Sequence, residues 1–290
     1  MRTTDSLHRF LFEGNQVRGE IVRLDATWRA LQGSQDYPAA VRNLLGEAAA
    51  ASALLTPTLK FEGKLTLQVT GEGPVHLLVM QCTSANTLRG LARWHGTPDS
   101  DSLGALIGGG RMAITIDPVK GRERYQGIVE VRGDLLAHAL EAYFQQSEQL
   151  DTRLWLAADE QRAVGLLLQQ LPGEADDADA WNRVQQLGAT LTRRELLEVP
   201  PQDLMYRLFS EEDLRVFEPT PLSFRCGCSR TRIESVLRGL GYAEVQSILS
   251  DEGTIKVDCE FCGHSYEFDA VDTENLFSGD GPAAISPTRH

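Results

Sequence analysis

Four of the five cysteines in this 290-residue chain crowd into its last quarter: Cys226-Gly227-Cys228, thirty intervening residues, then Cys259-Glu260-Phe261-Cys262. Thiolates are soft ligands. Two close pairs joined by an intervening fold supply the four donors of a closed tetrahedral zinc site. Four thiolates around one divalent ion remain net negative, and Arg225, Arg230, Arg232 and Lys256 stand close enough in sequence to offset that charge. Each pair could also close into a disulfide on oxidation, and a disulfide sulfur is a poor zinc ligand. The pattern therefore describes either a permanent structural zinc module or a redox switch. His264 follows two residues after Cys262; four cysteines already fill a tetrahedral shell, so it is read as a spectator. Cys82 follows an apolar strand and is read as a buried small hydrophobe.

No other constellation reads as reactive. Gly108-Gly109-Gly110-Arg111 is not followed by Lys-Ser/Thr or by a helix pattern, so it is a turn rather than a phosphate loop. His8, His76, His95 and His138 are scattered, with no Ser or Asp arrangement of a triad. No catalytic residue is assigned.

The elements that must position the cysteines come next. The chain opens on a hairpin, with Leu7, Phe10 and Phe12 in one strand, Val17, Ile21 and Val22 in the other, and a turn at Glu13-Gly14-Asn15. An alanine-rich helix follows Asp36-Tyr37-Pro38, with Val41, Leu44, Leu45, Ala48 and Ala49 at helical spacing until Pro57. Strands are predicted at 65–69, 75–80, 112–116 and 125–131, the last two joined around Pro118-Val119-Lys120-Gly121. A helix over 134–146 and a strand pair at 154–157 and 163–168 complete an α+β domain, mainly one antiparallel sheet with packed helices, spanning 1–171.

At Pro172-Gly173 the composition turns acidic and small, which begins a helical linker at 172–222. One linker helix is capped by Thr192 with Glu195 three residues on; another follows Pro200-Pro201 and gathers Leu204, Met205, Leu208 and Phe209 on one face. Helices this short are marginal alone, so the linker must lean on a neighbour. A small four-cysteine zinc domain spans 223–276, with helical patterns at 230–237 and 243–249 split at Gly239-Leu240-Gly241 and a strand at 254–257. It buries little core, so losing the metal should melt it. The Gly-, Pro- and Ser-rich end, 277–290, reads as a disordered tail.

Composition excludes some partners. Lys and Arg number 28 against 41 Asp and Glu, and the resulting charge of −13 disfavours nucleic acid and anionic membrane surfaces. The first residues, Met1-Arg2-Thr3-Thr4-Asp5, lead into no apolar secretion signal, and the small apolar stretch at 48–55 is too short to span a bilayer. A soluble cytoplasmic protein is expected.

Several stretches carry a family resemblance. Cys226-Gly227-Cys228-Ser229-Arg230, Gly241-Tyr242-Ala243-Glu244-Val245 with Ser247-Ile248-Leu249, and Val257-Asp258-Cys259-Glu260-Phe261-Cys262 with Tyr266 and Phe268 resemble heat-shock protein 33. So do Gly19-Glu20-Ile21-Val22-Arg23-Leu24, Leu59-Lys60-Phe61-Glu62-Gly63, Ser147-Glu148-Gln149-Leu150 with Thr152-Arg153-Leu154, and Leu167-Leu168-Gln169-Gln170-Leu171-Pro172. The resemblance implies a bacterial, ATP-independent holdase that is not an enzyme and is inactive when reduced and loaded with one zinc ion. It also implies that oxidants convert Cys226-Cys228 and Cys259-Cys262 to disulfides, releasing zinc, unfolding the linker and allowing dimerisation. Its partners would then be unfolding client proteins, with hand-over to ATP-dependent chaperones. The apolar linker face of Leu204, Met205, Leu208 and Phe209 is the candidate client surface. A thiol-disulfide oxidoreductase using Cys259 and Cys262 predicts a thioredoxin-like strand-helix context that this sequence lacks. A zinc-module binding protein for nucleic acid is opposed by the negative charge.

Overall fold

The computed structural model describes residues 5–33, 35–58, 62–119 and 123–278. The chain divides into two compact units at Arg225/Cys226. The expected signal-free start at 1–4, the motif residues 59–61, the turn residues 120–121 and the tail residues 279–290 lie outside the described residues. Of the predicted tail, Phe277 closes a helix and Ser278 follows it.

The first unit contains β1 (Ser6–Phe12), β2 (Val17–Leu24), α1 (Ala26–Gln32), α2 (Ala39–Leu55), β3 (Gly63–Gly71), β4 (Val75–Thr83), β5 (Thr87–Trp94), α3 (Leu103–Ile107), β6 (Gly110–Pro118) and β7 (Tyr125–Val131). It continues with α4 (Leu136–Tyr143), β8 (Thr152–Ala158), β9 (Ala163–Gln170), α5 (Ala180–Ala189), α6 (Arg193–Glu198), α7 (Pro201–Phe209), β10 (Leu214–Val216), β11 (Thr220–Pro221) and β12 (Ser223–Phe224). The strands form two six-stranded sheets. One runs β10-β1-β2-β9-β8 with β11 also on β1, and the other runs β12-β5-β4-β3-β6-β7. Pairing is antiparallel except where β12 lies parallel to β5. The sequence predicts an antiparallel sheet but cannot divide it in two, because alternation marks a strand without naming its neighbour.

The alanine-rich α2 contributes buried residues to the core that both sheets share, and its small side chains permit that close packing. At Gly46 a Cβ would lie 2.4 Å from the Ala158 Cβ, so only glycine fits that crossing. In this unit α1, α3, β5, α5 and the short strands β10, β11 and β12 carry no assignment from sequence. In β5 the apolar alternation breaks at Gly90, where a Cβ would lie 2.3 Å from the Met80 Cε; the gap is filled from the neighbouring strand. The predicted turn at Gly108-Gly109-Gly110 is present, with Gly108 closing α3 in the left-handed conformation.

The first sheet is covered on both faces. On one, Leu7, Val22, Leu24 and Leu167 join the α2 core. On the other, Phe10, Phe12, Val17, Ile21, Val164, Leu166 and Leu168 pack against Val184 of α5, Leu196 and Leu197 of α6, and Leu204, Met205 and Phe209 of α7. This double cover explains why β9 is apolar along nearly its whole length. The Thr192–Glu195 capping box predicted for α6 is formed in both directions.

Candidate metal centre

The second unit contains α8 (Arg230–Leu240), α9 (Tyr242–Glu252), β13 (Ile255–Asp258), β14 (Ser265–Phe268) and α10 (Ala270–Phe277). Ser229 caps α8 by accepting from the Arg232 amide, and Gly241, at φ 91°, breaks the helical run where two glycines predicted it. Asp269 and Asp272 form a capping box that starts α10. The core consists of Leu237, Val245, Leu249, Ile255, Phe268 and Leu276, with a few half-buried neighbours. So small a core needs a further source of stability.

The cysteines sit where this frame brings two chain ends together. β13 and β14 pair from Ile255↔Phe268 to Asp258↔Ser265, and the connection between them carries Cys259 and Cys262. The Cys259 amide donates to the His264 carbonyl at 2.9 Å, and the Gly263 amide donates to the Cys259 carbonyl at 2.7 Å. Gly263, at φ 68°, takes the left-handed conformation that closes this knuckle. On the other side Cys226 and Cys228 lie just before α8, and the Arg232 guanidinium donates to the Gly227 carbonyl between them.

All four Sγ atoms lie within 4.8 Å of one another, and each is half-buried. The Cys226–Cys259 and Cys228–Cys262 Sγ separations are both 3.5 Å. Tetrahedral thiolates at the usual zinc–sulfur length of about 2.3 Å stand about 3.8 Å apart, so the tetrad fits such an ion. Each of these approaches joins one motif to the other, so the two motifs share one cluster. Among the described residues, no histidine joins this group. His264 instead packs edge-on against the Tyr266 ring at 4.6 Å.

Tyr266 is a neighbour of the tetrad that the cysteine spacing alone did not single out. Its hydroxyl donates to the Cys228 Sγ at 3.2 Å. Burial pushes the Cys228 thiol up, but the Tyr266 hydrogen bond and the other thiols outweigh it and bring the group down to about 7. Burial pushes Cys262 up to about 12. Cys228 and Cys262 are thus unequal, and Cys228 gives up its proton the more readily of the two. In the sequence Tyr266 figures only among the residues that carry the family resemblance; its place beside Cys228 comes from the strand register that sets it opposite Val257, two residues before Cys259.

Two of the four basic neighbours act otherwise than expected. Arg230 stacks over the Phe268 ring at 4.3 Å and pairs with Asp272 at 2.7 Å, so its charge is engaged in the packing of α8 on β14 and α10. Arg225 belongs to the first unit, where its amide donates to the Leu88 carbonyl. Cys82 is fully buried as expected, and burial raises its thiol to about 11. His76 and His95 stack at 6.0 Å, and among the described residues neither joins a group that could hold a metal ion.

The candidate client residues lie in the first unit. Leu204, Met205 and Phe209 are buried against the first sheet, and Leu208 is half-buried beside them. Phe209 meets Phe12 edge-on at 5.1 Å and Phe10 at 5.8 Å. Polar ties accompany this packing. The Leu197 carbonyl accepts from Arg162 at 3.0 Å and from Arg23 at 3.4 Å, and Arg183 grips Glu212 through two bonds of 2.6 and 3.1 Å.

The family model described as Hsp33 protein matches residues 5–269. The chain belongs to the Hsp33 family. It is 53% identical to the 33 kDa chaperonin of Nitrosococcus oceani and 46% identical to that of Methylobacillus flagellatus, each alignment covering all of both chains. The crystal structure of the 33 kDa chaperonin (heat shock protein 33 homolog) of Thermotoga maritima shares the fold, with a TM-score of 0.84 and 24% identity over 96% of this chain and 100% of that one. Membership of the Hsp33 family supports a chaperone role and, with relatives named chaperonin, points to a non-enzymatic protein. No helix among the described residues is long and apolar enough to cross a membrane.

Proposed function

We propose that this chain is a redox-regulated, ATP-independent holdase whose sensor is the four-cysteine cluster of Cys226, Cys228, Cys259 and Cys262. The observation that carries the reading is the tetrad itself: four thiols in tetrahedral reach of one ion on a unit with a minimal core. Bound zinc, one ion in the reduced form, supplies folding energy to that unit, an apparent contribution of about 10–16 kcal/mol in small zinc peptides.

Oxidation acts on the thiolates. A thiolate attacks peroxide, the O–O bond breaks, and a sulfenic acid forms; the second cysteine of the pair then displaces water and closes the S–S bond. Peroxide takes up the two electrons of each disulfide. Following the resemblance, the pairs are Cys226–Cys228 and Cys259–Cys262. The disulfide sulfurs no longer serve as ligands, and the zinc domain at 223–276 loses its order.

Residues 172–222 are the metastable linker in this scheme. The helices α5, α6 and α7 are short, and their burial depends on the sheet face they cover. Their release uncovers Phe10, Phe12, Ile21 and Leu166 together with Leu204, Met205, Leu208 and Phe209, an apolar surface suited to unfolding clients. Activated protein dimerises, holds clients in the bacterial cytoplasm and passes them to ATP-dependent chaperones.

The test treats reduced, zinc-loaded protein with peroxide at elevated temperature and follows zinc release with a chromogenic chelator beside aggregation of a thermally unfolding client. Zinc release together with protection that appears only after oxidation is expected. Zinc that stays bound, or leaves with no gain in protection, overturns the reading. If the oxidised Leu204→Glu/Leu208→Glu protein protects clients undiminished, the linker face is not the client surface.

A further inference from the structure

Between α7 and Cys226 the chain forms a strap along one edge of each sheet. On β1 it pairs Leu214, Arg215 and Val216 with Phe12, Leu11 and Phe10, then Thr220 and Pro221 with Leu7 and Ser6. The Glu13 amide donates to the Asp213 carbonyl at 2.9 Å, and the Phe217 amide donates to the Arg9 carbonyl at 2.9 Å. On β5 the strap pairs Ser223 and Phe224 with Thr87 and Leu88, and its last bond, from the Arg225 amide to the Leu88 carbonyl, stands one residue before Cys226.

The strap and the strand beneath it are built differently. From 213 to 225 only Leu222 is fully buried. Leu214 and Phe224 are half-buried against the two cores, Arg215 pairs with Glu13 at 2.6 Å and Arg9 lies over the Phe217 ring at 5.7 Å. Beside these few contacts a run of main-chain bonds follows both edges. Its outer side is blunt: Pro219 and Pro221 carry no N–H, and Arg215 and Glu218 are exposed. β1 is the reverse, with Leu7, Phe10 and Phe12 all buried and a row of main-chain groups that the strap alone satisfies on that side. Natural sheets avoid leaving such an edge open, because it accepts any extended chain.

We infer that the strap is a built-in stand-in for an extended peptide, and that the β1 edge it covers is a main-chain docking site for unfolded polypeptide by antiparallel strand addition. This rests on the holdase reading, since release of the linker is what frees the strap. Strand addition takes its affinity from main-chain bonds, so it suits clients of unrelated sequence. A strand on β1 also places alternate side chains beside Phe10 and Phe12, on the face from which α7 has withdrawn.

The test uses a fluorescent peptide copying residues 212–222, in three forms: unmodified, N-methylated at Phe217, and N-methylated at Val216. The Phe217 N–H makes the bond to Arg9, whereas alternation turns the Val216 N–H away from β1. Each form is titrated into reduced zinc-loaded protein, oxidised protein, and reduced Phe217→Pro protein, in which the strap loses the same donor. The unmodified and Val216-methylated peptides should bind oxidised protein and reduced Phe217→Pro at least tenfold tighter than the reduced parent, and methylation at Phe217 should abolish that gain. Equal binding of the two methylated peptides, or no binding to any form, overturns the inference. So does a peptide-excluding dimer with a protected Glu13 amide, since a second copy then owns the edge. Client protection measured on the same oxidised sample separates the two readings. Protection without methyl discrimination leaves the holdase and removes the edge site; discrimination in Phe217→Pro without oxidant-gated protection does the opposite.

Discussion

Replacing Phe209 by alanine should release the linker while the zinc site stays reduced and loaded. Phe209 is 1% exposed and packs against Phe10 and Phe12, two residues of β1 paired with β2. Truncating a buried phenylalanine costs about 3–5 kcal/mol, including the cavity it leaves. Because the ring bridges linker and sheet, that loss falls on the docked state of the helices and spares the paired strands. At 1.36 kcal/mol per decade the opening equilibrium of residues 180–209 should rise by about two to four decades. Native-state amide exchange reads this directly: the protected amides of α5, α6 and α7 should exchange faster by that factor, while those of β2 and β9 change little. Client protection in the reduced state should appear alongside. Exchange that accelerates less than tenfold in the linker, or equally in linker and sheet, would refute the idea that this aromatic contact latches the linker.

Three other outcomes are expected. Cys228→Ser removes one of four donors, so bound zinc should fall well below one equivalent and the helical signal of α8 to α10 should be lost while that of the first unit remains; zinc content and circular dichroism measure this. Glu20 is buried on β2, and burial raises its carboxyl to about 7 from the ordinary 4.5, against the opposing charges of Arg18 and Arg9. The folded chain therefore holds more protons than the unfolded chain between those values, so this group's contribution lowers stability as pH rises from 4.5 to 7 and levels off above. Glu20→Gln should flatten that stretch and gain on the order of 3 kcal/mol at pH 8, read from urea midpoints; an unchanged slope counts against it. Finally, Cys82 should resist alkylation in the native protein under conditions that label the other cysteines after zinc removal, because it is fully buried and its thiol is raised to about 11; mass spectrometry of the labelled peptides decides the matter.

The sequence by itself determined the features whose causes are short-range. The β1–β2 hairpin, the alanine-rich α2, the Thr192 capping box and the break at Gly241 all follow from neighbours a few residues apart, and the structure contains each of them. The cysteine spacing likewise named the four residues whose sulfurs the fold brings together. Tertiary structure alone decided which strands share a sheet, because alternation gives a strand its two faces but not its partners. It decided that α5 to α7 cover the face opposite α2, a matter of surfaces more than a hundred residues apart in sequence coming into contact. It set the Tyr266 hydroxyl on Cys228, which depends on the β13–β14 register, and it diverted Arg230 from the cysteines to Phe268 and Asp272. The strap is the sharpest case. Residues 213–225 carry little pattern of their own, and they become strands only because β1 and β5 offer unfilled main-chain hydrogen bonds at their edges.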